Sequence, residues 1–138
     1  MNKPEIIAYM QSCPICYLAT VEGNAPRVRA IMIYKVNERE IIIQTNEQKE
    51  VSLQMLKNPN IELLFYNAQK PEMMQIRVRG TAEPVTDALV IKQVMEERPF
   101  LKEAKAQGNG PSIYRVRKPR ACVWTMLTNN DPKTFVEL

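Results

Sequence analysis

Apolar and polar residues alternate along much of this chain, which is the period of a half-buried strand. Ile15 to Val21 reads as a first strand, followed by the turn Glu22-Gly23-Asn24. Next comes the stretch around which the chain is organised. Ala25-Pro26-Arg27-Val28-Arg29-Ala30-Ile31-Met32-Ile33-Tyr34 and a run from Ile41 to Lys49 flank the polar bend Asn37-Glu38-Arg39, which predicts an antiparallel hairpin. Ile61 to Tyr66 is a further strand. Met73 to Val85 alternates over a long span with Gly80 inside it, and a glycine there suggests a bulge or a close backbone approach. Ser112 to Arg117 and Ala121 to Leu127 read as a last strand pair.

Helical spacing appears between these runs. Asn2 can cap a first helix with Pro4 near its start, placing Ile6, Ile7 and Met10 on one face, and Ser12-Cys13-Pro14 ends it. Thr45 or Asn46 can cap a second helix through Val51, Leu53, Met55 and Leu56, which Asn58-Pro59-Asn60 breaks. Asp87 can cap a third, ending at Arg98-Pro99, and Phe100 to Gln107 predicts a short fourth. Gly108-Asn109-Gly110-Pro111 is a loop, and the polar tail from Thr128 carries no pattern. Short strands interrupted by helices favour a mainly β fold, an antiparallel barrel with attached helices, over a doubly wound sheet. With 138 residues, no internal repeat and no linker, the expectation is one domain over residues 1–138.

Composition narrows the function classes. The net charge of +4 favours an anionic ligand, but the basic residues are dispersed, so no nucleic-acid partner is expected. A barrel for single-stranded nucleic acid wants exposed aromatics between cations, whereas Tyr34, Phe65 and Tyr66 sit in apolar runs. No apolar run approaches bilayer length and no signal-peptide core opens the chain, so no membrane partner is expected. Three cysteines, an odd number, agree with a reducing compartment, and the expected location is the cytoplasm. Cys13 and Cys16 have redox-pair spacing, but they lie at a helix end rather than a helix start and read as structural. The chain has no histidine, which excludes a Ser-His-Asp triad and most catalytic zinc sites. Gly-x-Gly-x-x-Gly and Walker patterns are absent as well.

The junction after the organising stretch has candidate chemistry. A helix start with Thr45 and Asn46 beside it, Lys49 in its first turn and Arg27 or Arg29 on a neighbouring strand would suit a phosphate. A capped, solvated helix beside a charged strand fits the same residues.

Arg27 to Tyr34, Gln44 to Lys49, Lys57-Asn58-Pro59-Asn60 and Gln75-Ile76-Arg77-Val78-Arg79-Gly80 stand in the order and spacing of the pyridoxamine 5'-phosphate oxidase-like family, which this chain resembles as a short member. The resemblance implies an antiparallel split β-barrel of the FMN-binding type. It implies FMN as cofactor, with Arg27, Arg29, Ala30, Ile31, Gln44, Thr45, Asn46 and Lys49 around its phosphate and ring. Gln75 matches a glutamine that hydrogen-bonds the flavin, and Trp124 resembles a tryptophan that packs near the ring. Asn46 also reads as a helix cap. The family's longer cationic run at the phosphate is not present here. The arginine and histidine that come after the tryptophan in pyridoxamine phosphate oxidases are missing too, so pyridoxine phosphate is not the expected substrate. The resemblance therefore implies a flavoprotein oxidoreductase acting on a small organic substrate, with NADH or NADPH as donor, working as a homodimer with the flavin at its interface. A non-catalytic flavin store or sensor, and a deazaflavin-dependent reductase, remain open alternatives.

Overall fold

The computed structural model describes residues 1–138. Helix α1 (Lys3–Gln11) begins with reciprocal capping, in which the Glu5 amide donates to Asn2 Oδ1 at 3.0 Å and the Asn2 amide to Glu5 Oε2 at 2.8 Å. It buries Ile6, Ile7, Tyr9 and Met10 against the sheet. Strands β1 (Cys16–Glu22) and β2 (Ala25–Ile31) pair antiparallel, β3 (Lys35–Val36) is two residues long, and β4 (Ile41–Asn46) follows. Then come α2 (Glu50–Lys57), β5 (Asn60–Tyr66) and β6 (Gln75–Pro84). Helices α3 (Ala88–Glu97) and α4 (Phe100–Ala106) precede a long β7 (Pro111–Trp124) and a short β8 (Val136–Glu137). No helix is long and apolar enough to cross a membrane.

The strands lie in the order β2-β1-β5-β6-β7-β4-β3, with β8 on β7. The two edge strands, β2 and β3, are separated in sequence only by Met32, Ile33 and Tyr34. Seven strands laid flat at about 4.8 Å spacing would put those edges roughly 29 Å apart. A three-residue link spans at most about 14 Å. The sheet therefore curls back on itself, and because β2 and β3 do not pair it stays open along one seam. This is an antiparallel split barrel.

The core follows the alternation. Leu18, Leu63, Phe65, Ile76 and Val78 point inward and are fully buried. Ile41, Ile42 and Ile43 are all buried because β4 is covered on both sides. Ile41 and Ile43 face the barrel interior, while Ile42 joins Val85, Val94, Leu101 and Ile113 beneath α3 and α4.

Three sequence readings are corrected. The hairpin across Asn37-Glu38-Arg39 is only two pairs deep, Lys35 with Ile42 and Val36 with Ile41, since β2 pairs with β1 instead. Neither Thr45 nor Asn46 caps α2: both end β4, Lys49 occupies the N-cap without a side-chain bond, and the Asn46 amide group donates to the Asn109 carbonyl at 3.3 Å. The final strand pair is one strand, β7, bent at Lys118 and paired along β6, and the tail returns as β8.

Candidate functional site

Seven of the ten sequence-derived candidates converge at the seam. Arg29, Ala30 and Ile31 come from β2, Gln44, Thr45 and Asn46 from β4, and Lys49 from the N-terminus of α2, around a hollow of about 250 Å³. Three of them are consecutive on β4, so strand geometry sets their spacing, and the barrel's curl brings β2 opposite them.

Each side chain is fixed differently. The half-buried Arg29 guanidinium donates through Nη1 to Thr20 Oγ1 at 2.8 Å and to the Leu18 carbonyl at 3.2 Å, and through Nη2 to Gln54 Oε1 at 2.6 Å. Gln54 in turn donates to Glu22 Oε2 at 3.3 Å. Burial lowers the Arg29 pKa and the Glu50 carboxylate opposes that shift, so the group stays cationic. Three of its five N–H donors are used, leaving two for a ligand. Lys49 is exposed and forms no ion pair. The amides of Glu50 and Val51, in the first turn of α2, have no acceptor within the chain, as helix starts leave them. Free N–H groups, a helix dipole and two cations around one hollow make an anion cradle.

Arg98 was not among the sequence candidates, yet it holds the seam together. It stands just past the last turn of α3 and donates to Gln44 Oε1 at 2.8 Å and to the carbonyls of Met32 at 3.2 Å and Ile33 at 2.9 Å. Its guanidinium also lies over the Tyr34 ring at 5.3 Å. One side chain thus ties the β2–β3 link to β4 across the gap. Tyr34 donates to Glu97 Oε2 at 2.5 Å, and burial together with that carboxylate pushes its pKa up to about 12. Sequence offered only the helix end Arg98-Pro99; the contacts span more than fifty residues. Met32, Val51 and Phe100 add apolar surface to the hollow.

Three candidates lie elsewhere in the chain. Arg27 is exposed and paired with Glu22 at 3.1 Å, outside the hollow. Gln75 opens β6, opposite Trp124 in β7, and lines a separate hollow with Tyr17, Val28 and Leu64. Its Oε1 accepts from Arg77 at 3.3 Å, and Trp124 Nε1 donates to Asn129 Oδ1 at 2.8 Å. Cys13 and Cys16 are buried free thiols, and burial pushes Cys16 up to about 12. Neither is a thiolate at neutral pH, which suits packing rather than redox exchange.

Comparison with known proteins identifies the family and the fold. The model of the family described as pyridoxamine 5'-phosphate oxidase matches residues 3–125, and the chain belongs to that family. Membership places it among proteins of the flavin-binding oxidoreductase type. Over 70 residues it is 36% identical to a pyridoxine/pyridoxamine 5'-phosphate oxidase of Gluconobacter oxydans, covering 51% of this chain and 34% of that protein. A protein of the same name from Burkholderia thailandensis is 35% identical over 71 residues, covering 51% of this chain and 32% of its own length. The matched stretch thus spans about a third of these relatives. Among solved structures, a NimC/NimA family protein from Clostridium acetobutylicum superposes with a TM-score of 0.75 at 23% identity, covering 98% of this chain and 92% of its own. A protein from the same organism, related to general stress protein 26, gives 0.74 at 14% identity, covering 100% and 97%. At these identities the likeness concerns the fold, a split barrel in each case.

Proposed function

We propose that the protein binds FMN at the seam and passes electron pairs from NADH or NADPH to a small organic acceptor. The observation that carries the reading is the convergence of Arg29, Lys49 and the open Glu50 and Val51 amides beside Gln44–Asn46. These donors fit a phosphate monoester: two cations with uncommitted hydrogens, two amides at a helix start, and no carboxylate of the chain occupying them. Bound there, FMN would supply the two-electron chemistry. The chain's own residues bind and orient. Arg29 and Lys49 hold the phosphate, the β4 backbone at Gln44 and Thr45 borders the ring, Arg98 fixes the Gln44 amide, and Met32 and Phe100 shield it from water. With no histidine in the chain, no imidazole moves a proton.

Reduction of the bound flavin tests this reading. FMN-loaded protein mixed anaerobically with NADH or NADPH is expected to lose its yellow colour faster than free FMN, and quinones or nitro compounds should restore the colour over repeated cycles. Bound flavin no faster than free flavin with every donor and acceptor would replace the enzyme by a flavin store or sensor.

A homodimer belongs to the same proposal. A hollow of about 250 Å³ is small for a cofactor, whose pockets run to roughly 300–1,000 Å³. Gln75 and Trp124 stand on a sheet face with Tyr17, 40% exposed, and Val28, 70% exposed. A second copy laid on that face would bury this apolar surface and bring Gln75 and Trp124 to the first copy's seam. Light scattering of the flavin-loaded protein should give about twice the 15.9 kDa chain mass. A monomer mass counts against the shared site.

A further inference from the structure

A larger cavity lies away from the seam, on the β6 side of the barrel. It is an open groove of about 720 Å³, and its four cations are exposed. Arg79, Arg117, Lys118 and Arg120 line it together with Glu62 and Glu137, so cations outnumber carboxylates two to one. None of these four cations borders the seam hollow.

The backbone here is unusual. Arg79 pairs with Arg120 and Thr81 with Arg117, so Gly80 alone on β6 faces Lys118 and Pro119 on β7. That is a β-bulge, and Lys118 takes φ 48°, the chain's one positive φ outside glycine. Glycine adopts that conformation without strain, and lysine does not. The fold thus carries a strained lysine, and its ammonium forms no ion pair.

Its neighbours are held with donors to spare. The Arg120 guanidinium stacks on the Phe135 ring at 5.3 Å and forms no ion pair, and Arg79 stacks on the same ring at 4.9 Å. Stacking orders a guanidinium plane without consuming its N–H groups. Arg79 spends one donor on Glu62 at 3.4 Å, and Arg117 is committed to Glu83 at 2.7 Å. Ala19, Val21, Pro26 and Ile61 supply an apolar wall beside these charges.

We propose that this cavity binds a small organic dianion, its charged head held by Lys118, Arg120 and Arg79 and its carbon body against the apolar wall. Phosphate monoesters and dicarboxylates share that chemistry, and forked guanidiniums take either head in bidentate fashion. The site lies away from its own chain's seam hollow, and through Ala19 and Glu62 it borders the face that a second copy would cover.

The experiment is an amide chemical-shift titration of the full chain, in excess FMN, with phenyl phosphate, phthalate and neutral benzyl alcohol. At least one anion is expected to shift Gly80, Thr81 and Lys118 saturably at millimolar concentration, leaving Thr45 and Lys49 unmoved. The tighter of the two anions identifies the head group. Lys118→Gly is the decisive variant, because it relieves the strain while removing the charge. It should melt higher than the wild type and bind the anion roughly tenfold more weakly. Arg120→Gln should weaken binding similarly without the gain in melting temperature. Three outcomes overturn the proposal: neither anion moves these amides, benzyl alcohol moves them equally, or Lys118→Gly binds as the wild type does. Because the reporters lie in the cavity and not at the seam, failure of FMN to bind leaves the result readable.

Discussion

Removing the Lys49 ammonium by Lys49→Ala should weaken FMN by about 1.5–3 kcal/mol, or roughly 10- to 150-fold, while leaving riboflavin affinity unchanged. The contrast between the two ligands isolates the phosphate. Lys49 is well suited to the test because it forms no ion pair, so its loss leaves no buried partner unsatisfied. Arg29→Ala should cost FMN at least as much, but it also strips donors from Thr20 and Gln54 and will lower stability. Arg29→Lys keeps the charge and loses the fork, so it should fall between wild type and Arg29→Ala. Raising salt should weaken FMN in the wild type more than in Lys49→Ala, since screening acts on a charge the variant lacks. Fluorescence quenching titrations of both ligands read all of these, and equal losses for FMN and riboflavin would show that Lys49 and Arg29 do not hold the phosphate.

Local chemistry made part of this fold legible and long-range pairing hid the rest. Alternation located β1, β5 and β6 because each buries one face, and the caps at Asn2 and Asp87 are side-chain bonds within one helical turn. The hairpin was misread because strand partners are chosen across the whole sheet: Ala25–Ile31 meets β1, where seven register pairs form, instead of β4. The Ile41-Ile42-Ile43 run gave no face to read, since two separate apolar clusters cover it. Thr45 and Asn46 have the composition of a cap, but three residues of turn intervene before α2, and Asn46 is engaged by a carbonyl 63 positions away. The candidate site was legible where it is contiguous, on β2, β4 and the start of α2. Arg98 was not, because its role consists entirely of contacts to other elements.

The bulge that hid the continuity of β7 sets the second large effect, Gly80→Ala. A Cβ at Gly80 would sit 2.7 Å from Val116 Cγ1 and 2.8 Å from the Arg117 carbonyl oxygen. The Val116 methyl belongs to a fully packed core side chain, and the Arg117 oxygen belongs to β7 itself, so neither yields without moving the strand. Overpacking against such neighbours costs about 3 kcal/mol, which lowers the melting temperature of a domain this size by roughly 10 °C. Gly23→Ala is the matched control: Gly23 has φ 60° in an open turn with nothing within 4 Å, so its substitution carries only a backbone cost of about 1 kcal/mol. Moving β7 would also displace Lys118 and loosen the stacking of Arg79 and Arg120 on Phe135, so Gly80→Ala should lose anion binding in the neighbouring cavity. Unfolding free energies from denaturant titration within about 0.5 kcal/mol of wild type would mean that the bulge relaxes around a methyl group and that the close approach does not fix β7.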